Sequence, residues 1–67
     1  MNQSPQHLIK LLEKYGFIFK RSKGSHQIYY NIATNITVIV PVHGSKDVKK
    51  GTFLAIRKQA GIDKNEI

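Results

Sequence analysis

The sequence contains no cysteine, which excludes a disulfide framework, a thiolate-ligated zinc or iron–sulfur centre and a thiol nucleophile. The same absence fits a reducing compartment, so a cytoplasmic location is expected. Carboxylates are scarce: Glu13, Asp47, Asp63 and Glu66 are the only acidic side chains, and two of them fall at the C-terminal end. A two-metal nuclease site needs several carboxylates converging on paired cations, so that design is excluded. Long apolar runs are missing as well. The longest apolar-rich stretch, Ile36 to Val42, is interrupted by Thr37 and Pro41 and is too short to span a membrane. Met1 to Gln6 carry no basic segment leading into an apolar one, so no secretory signal is expected. No P-loop, dinucleotide fingerprint, carboxylate pair or metal-ligand spacing occurs, and neither a metal nor a small-molecule cofactor is expected. A chain of 67 residues allows one compact domain, 1–67, and no two-lobed enzyme.

What the sequence does have is positive charge. Eleven Lys and Arg stand against the four acids, giving a formal net charge of +7 and a pI near 10.0. A small domain this basic is expected to meet a polyanion, either nucleic acid or an anionic membrane surface. A membrane-surface reading needs one helix with a basic face and a bulky apolar face. Here the cations collect around turns and at a helix start, which favours nucleic acid. A small DNA-binding regulator fits less well, because no helix-turn-helix pair with a polar recognition face is present.

Ser4-Pro5 is a helix start: serine supplies a capping oxygen, and proline at the first helical position wastes no N–H. Leu8, Ile9, Leu11, Leu12 and Tyr15 then follow helical spacing to a stop at Gly16, predicting a helix over Pro5 to Tyr15. Phe17 to Arg21, His26 to Asn31 and Ile36 to Val40 read as three strands, separated by turns at Ser22 to Ser25 and Ile32 to Asn35. After a loop, Gly51-Thr52 leads into a second helix where Phe53, Ile56 and Ala60 share a face, ending at Gly61. The expected fold is α+β, an α-β-β-β-α chain with a three-stranded antiparallel meander and two helices on one face. The ordered core is expected over about 4–62, with 63–67 a frayed tail. Strand alternation predicts that Phe17, Phe19, Ile28 and Tyr30 face Leu8, Leu12, Phe53 and Ile56, with Tyr29 on the opposite side. His7, in the first helical turn, is expected on the solvated surface.

Hairpin arithmetic locates the chemistry, because a turn decides which residues face each other across antiparallel strands. Centring the first turn between Lys23 and Gly24 sets His26 opposite about Arg21. Centring the second between Ala33 and Thr34 sets His26 opposite about Pro41, with His43 just beyond. Arg21, Lys23, Gly24, Ser25, His26 and His43 thus gather at one end of the sheet. Histidine as a residue type can take a proton from a ribose 2′-hydroxyl near neutral pH, and flanking cations can stabilise charge on the phosphate. Equally, a lone histidine at a strand start beside a Gly-Ser turn is commonly a polar turn residue. Lys46, Lys49 and Lys50 lie before a helix whose macrodipole they oppose, unlike Arg57 and Lys58 in its last turn. A helix start with free N–H groups and nearby lysines suits phosphate, and a solvated charge run is the plainer alternative.

Leu8-Ile9-Lys10-Leu11-Leu12-Glu13-Lys14-Tyr15-Gly16-Phe17, Lys23-Gly24-Ser25-His26, Val40-Pro41-Val42-His43-Gly44 and Lys49-Lys50-Gly51-Thr52 through Ile56-Arg57-Lys58-Gln59-Ala60-Gly61 occur in that order. The ordered set, from about Ser4 to Ile62, resembles the HicA (YcfA-like) mRNA interferase toxins. The resemblance implies a double-stranded-RNA-binding-domain-like fold and a metal-independent endoribonuclease that cleaves mRNA until a HicB antitoxin binds it. It also implies a catalytic histidine after the Gly-Ser turn, which falls on His26, and leaves His43 as a second candidate. Gln27 stands where many relatives carry another histidine, so no tandem-histidine role is expected. Lys20, Arg21, Lys23, Gly24, Ser25, Lys46, Lys49 and Lys50 are the expected RNA-binding residues. A non-catalytic double-stranded-RNA-binding module would use the same fold and the same helix-start lysines.

Overall fold

The computed structural model describes residues 3–44 and 46–62, so the tail expected over 63–67 lies outside the described residues. Its elements run α1 (Pro5–Lys14), β1 (Ile18–Lys23), β2 (His26–Asn31), β3 (Ile36–Pro41) and α2 (Lys50–Ala60). The three strands form one antiparallel sheet in the order β1-β2-β3. This is the α+β architecture expected from the pattern of apolar residues and turns.

Helix α1 starts as its sequence dictates: the Ser4 hydroxyl accepts the His7 N–H at 3.1 Å, and Pro5 occupies the first turn. Helix α2 ends at Gly61, whose φ of 77° is the left-handed cap conformation. Arg57, in its last turn, donates from Nη1 to the Ile62 carbonyl at 3.0 Å, so this cation secures the helix end. Leu8, Leu12, Phe53 and Ile56 meet Tyr29, Val38 and Val40 in one buried cluster. Both helices pack on β3, and neither makes a comparable contact with β1. All six β1 residues are consequently exposed.

The strand faces differ from the expected assignment. Phe17 is buried as expected, but Phe19 is 52% exposed, Ile28 and Tyr30 are half-buried, and Tyr29 is a core residue at 4%. Phe19 is exposed because the helices do not cover β1, whereas the exchange of Ile28 and Tyr30 for Tyr29 in the core follows from a β-bulge. Lys23, Ser22 and Arg21 pair with His26, Gln27 and Ile28, the register then shifts between Phe19 and Arg21, and Phe19 pairs with Tyr29 rather than Tyr30. One extra residue in β1 reverses the parity of everything before it relative to β2. Tyr29 therefore faces the helices together with its β3 partner Val38, while Ile28, Tyr30 and Ile39 lie on the open face. Phe17, moreover, precedes β1: its N–H bonds to the Leu12 carbonyl at 2.9 Å, closing the end of α1.

Two further contacts brace the connections. Asn31, 5% exposed, donates Nδ2–H to the Tyr15 carbonyl at 2.8 Å and accepts the Ala33 and Thr34 N–H groups through Oδ1. It thereby joins the end of α1 to the β2–β3 turn. Gln3 clasps Val48 in both directions, accepting its N–H at 2.7 Å and donating Nε2–H to its carbonyl at 2.8 Å. His7, expected in solvent, instead lies half-buried and stacked on Phe53, with ring centroids 6.3 Å apart and planes 10° from parallel. Its neighbour in space is therefore the aromatic base of α2.

Candidate nucleic-acid interface

Gly24 and Ser25 form a two-residue hairpin turn between Lys23 and His26. Gly24 takes φ 60°, the positive value that the first central position of a II′ turn requires and that glycine reaches without steric cost. Turn geometry sets Lys23 directly opposite His26, where cross-strand Cβ atoms lie about 5 Å apart. On its other side His26 pairs with Pro41, as the second hairpin's arithmetic predicts. The first register differs from the expected one: Arg21 pairs with Ile28, two positions along from the expected partner. Lys23, His26 and Pro41 form a row across all three strands at the sheet's end.

The bulge also concentrates cations on one face. Arg21 and Lys23 share the open face through their partners Ile28 and His26, and the Lys20 ammonium sits 5.2 Å from the centroid of the Tyr30 ring on that face. In an unbroken strand consecutive residues point to opposite sides, so Lys20 and Arg21 could not both serve one surface. His26 is exposed there, and Ile18 and Ile39, at 58% and 51%, leave apolar surface beside the charges.

Beyond Pro41 the chain turns away from the sheet. The Val42 N–H bonds to the Ser25 carbonyl at 2.7 Å, prolonging the pairing past the strand end, and the Lys46 N–H bonds to the His43 carbonyl at 3.1 Å. This loop and the start of α2 enclose a groove of about 470 Å³ lined by Pro41, His43, Lys46, Asp47, Lys49 and Thr52. Lys49 is the N-cap of α2 without a side-chain cap bond, and no acidic residue sits in the first turn. The positive end of the helix thus meets lysines, with Asp47 the one carboxylate in the groove lining.

The structure brings together two sets of the expected residues. Lys20, Arg21, Lys23 and His26 share the open face next to the Gly24-Ser25 turn, while His43, Lys46 and Lys49 line the groove, joined to the first set through Pro41. Lys50, exposed at the first residue of α2, stands outside the groove lining. Asp47, Thr52 and Pro41 were not expected in a site. A carboxylate among lysines at Lys46-Asp47-Val48-Lys49 was the one signal for Asp47. Among the described residues, no group of three or more His, Asp or Glu side chains is placed to hold a metal ion, and no helix is long and apolar enough to cross a membrane.

The family described as HicA toxin of bacterial toxin-antitoxin matches residues 5–62. The chain belongs to the HicA toxin family. The matched region spans every helix and strand described above, together with the residues of the open face and of the groove. Its place is that of the toxin in a toxin-antitoxin system. No curated protein gives a significant match to the chain.

Proposed function

We propose that this HicA-family toxin is a metal-independent endoribonuclease that cleaves mRNA with His26 as general base, and that a HicB antitoxin neutralises it. The observation that carries the reading is the placement of His26: exposed at the sheet end, directly opposite Lys23, on the face that also holds Arg21. His26 removes the proton from a ribose 2′-hydroxyl, and O2′ forms a bond to phosphorus as the bond from phosphorus to the 5′-oxygen breaks. The products are a 2′,3′-cyclic phosphate and a 5′-hydroxyl end. The leaving oxygen takes its proton from Lys23, from His43 or from water. Lys23 is the side chain directly across from His26, whereas His43 lies past the strand end. Arg21 and Lys23 stabilise charge on the scissile phosphate, and Lys46, Lys49 and Lys50 hold a neighbouring one.

A cytoplasmic setting follows from this reading, since mRNA is the substrate. A HicB antitoxin that covers the His26 end of the sheet would block the RNA and silence the toxin. The test incubates purified protein with end-labelled mRNA in chelator and maps the product ends. Cleavage leaving 5′-hydroxyl ends, lost in His26→Ala, is the expected result. Salt-sensitive RNA binding without cleavage by a folded protein would replace this reading with a non-catalytic RNA-binding module. Growth arrest on expression, relieved by co-expressed antitoxin, is the corresponding result in cells.

A further inference from the structure

Asp47 is the one feature of the groove that phosphate binding does not explain. It is exposed among Lys46, Lys49 and the uncapped start of α2, where a carboxylate lowers affinity for any anion. It makes no hydrogen bond or ion pair with any described residue. Nor does it cap α2, whose N-cap is Lys49. Its backbone is nevertheless held firmly, because the adjacent Val48 is 3% exposed and is clasped from both sides by Gln3. Burying Val48 leaves its neighbours Asp47 and Lys49 at the groove.

A carboxylate is an acceptor with two oxygens. Among the four RNA bases, guanine alone presents two adjacent N–H donors, N1–H and the N2 amino group, on its Watson–Crick edge. Cytosine and adenine present an amino group beside a lone pair, and uracil presents one N–H between two carbonyls. Single-stranded bases are read on this edge while stacked on flat side chains, histidine included. The groove offers His43 as such a surface, and about 470 Å³ is room enough for a nucleoside. Pro41 is also the strand partner of His26. The groove therefore begins one strand spacing, about 4.8 Å, from the His26 strand.

We propose that the groove between the β3–α2 loop and the start of α2 is a base-reading subsite, in which Asp47 accepts two hydrogen bonds from a guanine flanking the scissile phosphate. The proposal rests on the endoribonuclease reading for the position of that phosphate, while the groove's own selectivity can be measured without any cleavage.

The experiment titrates full-length protein with the trinucleotides UGU, UAU, UCU and UUU, and with inorganic phosphate, following backbone amide signals. The UGU titration is expected to shift His43, Lys46, Asp47, Lys49 and Thr52 with affinity about tenfold above the other three, the scale of one bidentate base contact. Asp47→Asn, an exposed and nearly isosteric change, should remove that preference while its unperturbed spectrum reports an intact fold. Equal affinity for all four trinucleotides, shifts reproduced by phosphate alone, absence of shifts in the groove, or a preference that survives Asp47→Asn would each overturn the proposal. A guanine preference in a protein that cleaves no RNA would leave the subsite standing and remove the nuclease reading. In a cleaving protein, mapped cuts should carry guanine at one fixed position beside the scissile phosphate, and Asp47→Asn should erase that enrichment about tenfold.

Discussion

The two edges of the sheet differ in composition and in cover: β1 carries Lys20, Arg21 and Lys23, and β3 carries no charged residue. β3 lies under both helices, with Val38 and Val40 at 1% and 0% exposure, whereas β1 is exposed at all six positions. A domain this small buries only about 60% of the surface its unfolded chain exposes, so it cannot cover every strand. The uncovered edge carries Lys20, Arg21, Lys23 and, through the hairpin, His26. Charge gathered there costs little, because solvent screens exposed cations from one another. Core packing is thus concentrated at the β3 edge and exposed strand charge at the β1 edge.

Substitutions on the two sides should separate accordingly. Phe53→Ala removes a fully buried ring together with the surface on which His7 stacks, and should cost about 3–5 kcal/mol in urea unfolding. That is a large share of the whole margin of so small a domain. Asn31→Ala leaves the Tyr15 carbonyl and the β2–β3 turn N–H groups without their partner, and should cost about 1–3 kcal/mol by the same measurement. Phe19→Ala, on the uncovered edge, should cost less than about 1 kcal/mol despite touching Tyr29 edge-on at a centroid distance of 5.7 Å. A Phe19 effect as large as that of Phe53 would break the comparison.

The smallest effect is a pH dependence. Burial, and then the nearby Glu13 carboxylate, raise the Tyr29 phenol above its ordinary 10.0. The folded state then holds this proton more tightly than the unfolded chain, so the contribution of Tyr29 is intact below pH 10.0 and is lost as pH rises through the higher folded value. Urea midpoints taken from pH about 8 to about 11 should fall more steeply for the wild type than for Tyr29→Phe. Parallel curves would contradict the assignment.

The sequence was legible where local rules act alone. Ser4-Pro5, Gly16 and Gly61 marked the helix ends, and the apolar spacing identified Leu8, Leu12, Phe53 and Ile56 as core. The Gly24-Ser25 turn and the second hairpin put His26 at the strand start beside Pro41. The faces of β1 and β2 were not legible, because the bulge near Lys20 depends on how the two strands settle against each other and has no glycine or proline to announce it. His7 on Phe53, and the Gln3 clasp on Val48, join segments more than forty residues apart in the chain. The groove was legible only as a run of lysines, since its shape comes from the path of the loop past Ser25 and from the seat of α2 on β3.

The most direct test of the division carries His26→Ala and Leu12→Ala through the same two assays, urea unfolding and mRNA cleavage in chelator with product ends mapped. His26→Ala should lose cleavage with its stability within about 0.5 kcal/mol of wild type. Leu12→Ala, at a fully buried position, should lose about 2–5 kcal/mol and, where still folded, keep 5′-hydroxyl-generating cleavage. A folded His26→Ala protein that cuts mRNA as the wild type does would contradict the account.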